Sequence, residues 1–231
     1  MRPLALRPTL VEQTYEAILN GICDGTVPLN TQLVQEQLAQ RLGVSRQPIQ
    51  QALMLLRNDG ILEDVGRRGV IVPPLDPVTI RHRYQIRAAL DALAARLAAL
   101  RCAASRTTAA QVRREGAAII AQGSAAARDR AVCRMIAHDV AFHSFIYRAS
   151  GNTALAPTAA VHWPFLRRAM GEGLRRSALA LPVWEQHQQI LDALVDGDAA
   201  AAVERATYHL EATADFLAAD IEASQDLAAA G

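Results

Sequence analysis

The chain has 231 residues, of which 51% are hydrophobic and 20% charged, with a formal charge of +1. That apolar content suits one large or two modest globular domains and excludes a disordered chain. All the basic side chains are arginine, and the residues before Pro77 carry about as many acids as arginines, so a bulk positive field is excluded as the basis of nucleic-acid binding. Cys23, Cys102 and Cys133 are an odd, widely spaced set inside helical patterns, which argues against a disulfide framework and fits a reducing cytoplasm. The segment MRPLALRPTL has no apolar core of signal-peptide length, and no run of about 18 apolar residues points to a membrane span. The expectation is a soluble, cytoplasmic protein.

In chain order, Thr9 and Glu12 have capping-box spacing and open a helix whose core stripe includes Ile18, Leu19 and Ile22. Leu38, Ala39 and Leu42 predict a short second helix with a buried stripe, Gly43 a left-handed turn that ends it, and Ser45 the cap of the next helix. Pro48 falls in the first turn of that third helix, and Ile49, Ala52, Leu53 and Leu56 follow at i, i+3, i+4 and i+7. Arg46, Gln47, Gln50 and Gln51 then lie on or beside the opposite face near the helix N-terminus, where a recognition helix touches base edges and phosphates. Gly60 closes the helix. Ile61 to Val65 and Val70 to Val72 are short apolar runs around Gly66-Arg67-Arg68-Gly69, a hairpin tip able to lie on phosphates or reach the minor groove. The pattern is that of a winged helix-turn-helix. A helix-turn-helix used only for protein contacts would carry an apolar patch on this face, and this face is polar.

The run LAQRLGVSRQPIQQAL, followed by LRNDGILEDVGRRGVIV, closely resembles the DNA-binding domain of the GntR family of bacterial transcription regulators. That family's pattern is LA..LGVSR.PVREAL, then L...Gl and a glycine-bearing wing, and the match covers most of residues 9 to 72. The resemblance implies that Arg46 and Gly69 work against DNA. With the residues read above, the expected DNA-binding set is Ser45, Arg46, Gln47, Gln50, Arg67, Arg68 and Gly69. Two positions depart from the family: Gln50 stands where arginine is usual and Asn30 where glycine is usual. Arginine pairs with guanine O6 and N7, whereas glutamine matches the N6 and N7 edge of adenine, so the operator is expected to differ at that base.

Pro73-Pro74-Leu75-Asp76-Pro77 stops strand and helix alike, which places a boundary between a DNA-binding domain over 1–76 and a second domain over 77–231. Asp76 is placed to cap a helix with Pro77 at its first position, and Ile80, Tyr84, Arg87, Leu90, Ala94 and Leu97 carry a helical period towards Leu100. Four more helical patterns run roughly from Thr108 to Gln122, Arg128 to Ala149, Thr153 to Glu172 and Trp184 to Asp196, with Pro157 and Pro164 bending or breaking the third. A last helix opens after Gly197 with Asp198 as cap and runs towards Asp220. No period-two alternation follows the wing. The fold class is therefore mainly α, a winged helix-turn-helix joined to an all-α helical bundle.

Within the bundle, Asp139 and His143 are four residues apart and so share a helix face, while His187 and His209 lie on two further helices. Residue spacing alone cannot bring the three helices to one point. DVAFHSFIYRASGN and EQHQQILDALVDGDAAAAVERATYHL, however, look like the FCD effector domain of the FadR-type subgroup of GntR regulators, over about residues 78 to 222. By that resemblance Asp139, His143, His187 and His209 match the family's metal-binding residues, a donor set that suits Zn²⁺, Ni²⁺ or Mn²⁺. Arg87 matches an arginine of the family's R..LE..aa..AA helix, with Asp91 in the place of the usual acid; it could fork onto an effector carboxylate or form a salt bridge inside the bundle. His82, His138 and His162 lie off the motif and are expected to be solvated or structural.

The resemblance implies a ligand-responsive DNA-binding regulator, most often a repressor, that senses a small organic acid over the metal. The single small reading head per chain, with too few base contacts for a specific site, leads to the expectation of a homodimer on a pseudo-palindromic operator. The alternative is a metal-dependent hydrolase or isomerase acting on a small carboxylate, with the winged helix as a tether. Against it, the sequence offers no His-Glu-x-x-His and no evident non-ligand carboxylate near the site to serve as a base.

Overall fold

The computed structural model describes residues 8–66, 69–176 and 180–229. The chain divides into two compact units, Met1–Pro74 and Leu75–Gly231. In the first, α1 (Leu10–Cys23) starts as its capping box requires: the Thr9 N–H donates to Glu12 Oε2 at 2.7 Å, and the Glu12 N–H donates to Thr9 Oγ1 at 3.2 Å. α2 (Gln35–Leu42) and α3 (Arg46–Asn58) meet across Gly43, whose φ of 65° is the left-handed turn expected there. Ser45 holds the N-cap position of α3, but its side chain accepts no capping bond. Leu38 alone of the predicted α2 stripe is buried; Ala39 is half-buried and Leu42 is 37% exposed, since a helix of barely two turns needs only one anchor.

The wing is a sheet of three strands rather than the two-stranded hairpin expected. β2 (Glu63–Asp64) and β1 (Gln32–Leu33) pair antiparallel with opposite edges of β3 (Val70–Ile71), so the order is β1-β3-β2. Ile61 and Leu62, read as the start of a strand, precede β2 as fully buried anchors. The chain enters β1 through Asn30, whose φ of 59° lies in the left-handed region that glycine tolerates best and asparagine next. Its N–H donates to the Val72 carbonyl at 2.9 Å. Asparagine can therefore stand where the resemblance leads glycine to be expected.

The second unit has helices and no strand among its described residues. α4 (Pro77–Ala104) begins as predicted, with the Asp76 carboxylate accepting from the N–H groups of Val78 and Thr79. α5 (Arg106–Arg128) and α6 (Val132–Ser150) follow, and Gly151, with φ of 75°, ends α6. The predicted segment with two prolines is split into α7 (Leu155–Ala160) and α8 (Trp163–Arg176), and each proline lies in a first turn, where its missing N–H costs no helical bond. α9 (Ala180–Asp196) and α10 (Ala199–Ala229) complete the unit, and α10 outruns its predicted end.

Ala94, Ala95, Ala98 and Ala99 are all fully buried on α4, and the methyl side chains let neighbouring backbones approach closely. α5 does the same with glycine. A Cβ on Gly123 would fall inside the Trp184 indole of α9. Trp184 in turn meets the His187 ring edge-on at a centroid distance of 4.8 Å, so this packing sets the position of a histidine central to the site below. Gly123→Ala should therefore destabilise the fold by about 1–3 kcal/mol through overpacking, although alanine is the better helix former. Urea unfolding checks this, and a stability equal to or above wild type would show that the indole has room to move.

Candidate metal centre and nucleic-acid interface

α6 places Asp139 and His143 one turn apart, α9 supplies His187 and α10 supplies His209; all four are buried. One donor atom from each lies within 4.8 Å of the others. His187 Nε2 is 3.2 Å from His209 Nε2 and 3.5 Å from Asp139 Oδ1, and His143 Nε2 is 3.7 Å from the same carboxylate oxygen. Four ligands at about 2.0–2.1 Å from one ion have spacings of this size.

The hydrogen-bond partners on the outer side fix which ring nitrogens face inward. His209 Nδ1 lies 2.8 Å from Gln186 Oε1, so the proton belongs on Nδ1 and the lone pair on Nε2. His143 Nδ1 lies 3.0 Å from Asp91 Oδ2, an ion-pair contact that leaves His143 Nε2 towards the cluster, and neither ring nitrogen makes a hydrogen bond of good geometry. Burial, reinforced by neighbouring charge, holds the pKa values of His187 and His209 low, that of His209 at about 3, so both rings are neutral near pH 7. Burial and Arg87 press on His143 in the same direction, but Asp91 and Asp139 outweigh them and raise its pKa. Burial works against the Asp139 carboxylate too, yet His143 and Arg87 keep its pKa below the usual range. An anion and the lone pairs of His187 and His209 thus converge in a buried interior, and a divalent cation there would bind them and displace any proton that His143 carries. The donor set fits such an ion.

Arg87 belongs to the cluster through ion pairs. Its Nη2 is 3.3 Å from Asp139 Oδ2 and its Nε is 3.5 Å from Asp91 Oδ2, and its guanidinium lies 4.6 Å above the Trp163 ring. The intra-bundle salt bridge is therefore the arrangement present. The site does contain a carboxylate outside the four-donor set, contrary to the sequence expectation: Asp91, one turn from Arg87 on α4. Asp91 is nevertheless committed to Arg87 and His143 and is only 1% exposed, so it is poorly placed as a free base. Sequence reading also missed Gln186 and Trp184, whose roles arise only from contacts between helices.

Arg87, Asp139, Gln186 and His209 also line a cavity of about 240 Å³. Of the off-motif histidines, His82 is exposed, while His138 and His162 are half-buried and outside the four-donor group. In the first unit, Ser45, Arg46, Gln47 and Gln50 are all exposed on α3, and a groove is lined by Arg46, Gln50 and Arg57 together with Gly69 beside β3. Arg46 Nη2 meets Glu36 Oε1 at 2.7 Å with both side chains 67% exposed, a screened pair that a phosphate can displace. Arg67 and Arg68, expected at the wing tip, lie outside the described residues.

Replacing Asp91 by alanine takes one of two carboxylates from a buried guanidinium and the acceptor from His143. Asp91→Ala should cost about 3 kcal/mol of stability, measured by urea unfolding without added metal. A change below about 0.5 kcal/mol would mean that Asp139 alone compensates Arg87.

Comparison with known proteins places these features in a family. Residues 10–72 match the model of bacterial regulatory proteins of the gntR family, and residues 82–212, more than half of the chain, match the FCD domain. The chain is 29% identical over 211 residues to a protein of Paenarthrobacter nicotinovorans named "Probable D-xylose utilization operon transcriptional repressor", covering 89% of this chain and 88% of that one. It is 33% identical over 85 residues to an HTH-type transcriptional regulator of Agrobacterium vitis from the TAR-I ttuE-ttuC' intergenic region, a match that spans 37% of this chain and half the length of the relative. Among solved structures, E. coli McbR/YncC shares the fold with a TM-score of 0.72 at 18% identity, covering 90% of this chain and 97% of that one. No helix among the described residues is long and apolar enough to cross a membrane. The chain belongs to the gntR family of bacterial regulatory proteins, with an FCD domain after its winged helix-turn-helix, and its relatives are transcriptional regulators rather than enzymes.

Proposed function

We propose that this chain is a cytoplasmic, ligand-responsive repressor in which residues 1–76 bind DNA and residues 77–231 hold a divalent metal ion and sense a small organic acid. The observation that carries this reading is the convergence of Asp139, His143, His187 and His209 beside a cavity of about 240 Å³. A divalent ion there, Zn²⁺, Ni²⁺ or Mn²⁺, supplies a positive centre with coordination positions left for a carboxylate oxygen. Arg87 lines the same cavity and can turn one N–H towards that carboxylate, which unites the two readings of this residue. An acid that binds one arrangement of the effector domain better than another shifts operator affinity by that difference. On the operator side, Ser45, Arg46, Gln47, Gln50 and Gly69, with Arg67 and Arg68 of the wing, form the DNA-binding set. One small reading head offers too few base contacts for a specific site, which favours a homodimer on a pseudo-palindromic operator.

Purified protein should carry about one divalent ion per chain, and a variant lacking His143, His187 and His209 together should carry almost none by elemental analysis. Equal occupancy in the two would place the ion elsewhere. Binding selection from a randomised duplex pool tests the DNA face. Gln50→Arg should move one preferred base of the half-site from adenine to guanine, with discrimination of about 1–3 kcal/mol. An unchanged motif with a steeper salt dependence would mean that position 50 meets phosphate instead.

A further inference from the structure

We infer that the effector is a monocarboxylate with an unbranched or aromatic apolar tail, about eight to ten non-hydrogen atoms in all, and not a polyhydroxy acid or a dicarboxylate. This deepens the proposed function and rests on it, because it names the class of acid that the cavity beside the four donors accepts.

Polarity along the cavity carries the inference. On α10 the lining residues are His209, Ala212, Thr213, Phe216 and Leu217, the i, i+3, i+4, i+7 and i+8 positions of one face. At about 1.5 Å of rise per residue, Phe216 and Leu217 sit roughly 10–12 Å along the axis from His209. The wall therefore changes from imidazole to hydrocarbon along its length. Thr213, midway, does not interrupt the change, since its hydroxyl donates to the His209 carbonyl at 2.7 Å. α6 repeats the pattern with Met135 one turn before Asp139, and α8 contributes Met170 and Leu174.

Among the described residues of the lining, Arg87, Asp139 and His209 are the only ionisable groups besides the Tyr84 phenol, and all of them belong to the donor cluster or touch it. A carboxylate at that end has Arg87 and the donor set to face. Further along the wall a second carboxylate, or a row of hydroxyls, would face mainly Met, Leu and Phe side chains among the described lining residues, since Tyr84 and Gln186 lie at the cluster end and the Thr213 hydroxyl is engaged. The methionines favour a flexible or flat tail, because their unbranched side chains repack around it. Size follows from the volume. At about 30 Å³ for each water-sized group, a cavity of about 240 Å³ holds on the order of eight such groups. Hexanoate has about that many non-hydrogen atoms and phenylacetate slightly more.

The test is calorimetric titration of the full chain loaded with Zn²⁺, using acetate, butanoate, hexanoate, phenylacetate, lactate, gluconate and citrate. Affinity should rise about fourfold per methylene from acetate to hexanoate, and phenylacetate should bind comparably to hexanoate. Phe216→Ser, at a partly exposed position, should cost hexanoate at least tenfold and leave acetate within about twofold. Tightest binding by gluconate, lactate or citrate would overturn the apolar-tail assignment while leaving an acid-sensing site intact. Binding of none of the acids would overturn the assignment together with the proposed function beneath it.

Discussion

The organisation of the larger unit depends on one constraint: three buried imidazoles and a carboxylate bring metal-ligand atoms to a common point within 4.8 Å of one another. Such a cluster can persist in a folded interior only if surrounding groups fix ring orientation and something positive compensates the centre. Part of the compensation is built in. Arg87 bridges Asp139 and Asp91, and Asp91 orients His143, so the donor set rests on an inner layer of ion pairs that is itself almost inaccessible to water. On the proposed reading a divalent ion supplies the rest, and its binding free energy becomes folding free energy for the whole bundle.

The packing around the cluster serves the same end. Trp184 and Phe142 contact His187 from two sides, one edge-on and one stacked at 4.3 Å, leaving that ring little rotational freedom. Trp184 can stand there because Gly123 has no side chain, and α4 can run beside its neighbours because a stripe of alanines keeps the contact thin. The alanine stripe of α4 therefore has a structural use in this seam. The cavity opens from the same cluster, so a bound acid would contact the groups that hold the bundle helices in register.

Much of this architecture was legible in the residues, and the exceptions have physical reasons. The capping pairs Thr9/Glu12 and Asp76/Pro77 and the turn at Gly43 act within a few residues, so sequence shows them directly. The Asp139/His143 face follows from helical periodicity, but His187 and His209 joined it only through the family pattern, since residue spacing carries no information about distances between helices. Asp91 and Gln186 escaped a functional reading for the same reason: each acts on a histidine of another helix. The third strand was hidden because two residues of β1 are too short for alternation to register. Ser45 has the residue type of a cap without the bond, which shows that a cap residue marks a position more reliably than a contact.

X-ray absorption at the metal edge of the purified full chain tests the central claim most directly, because it reports the ligands themselves. The account predicts a first shell of nitrogen and oxygen donors at about 2.0–2.1 Å for zinc, with the outer-shell scattering of three imidazoles. His209→Ala should reduce the imidazole contribution by one. A sulfur-containing shell, or a spectrum of hydrated metal without imidazole scattering, would contradict it.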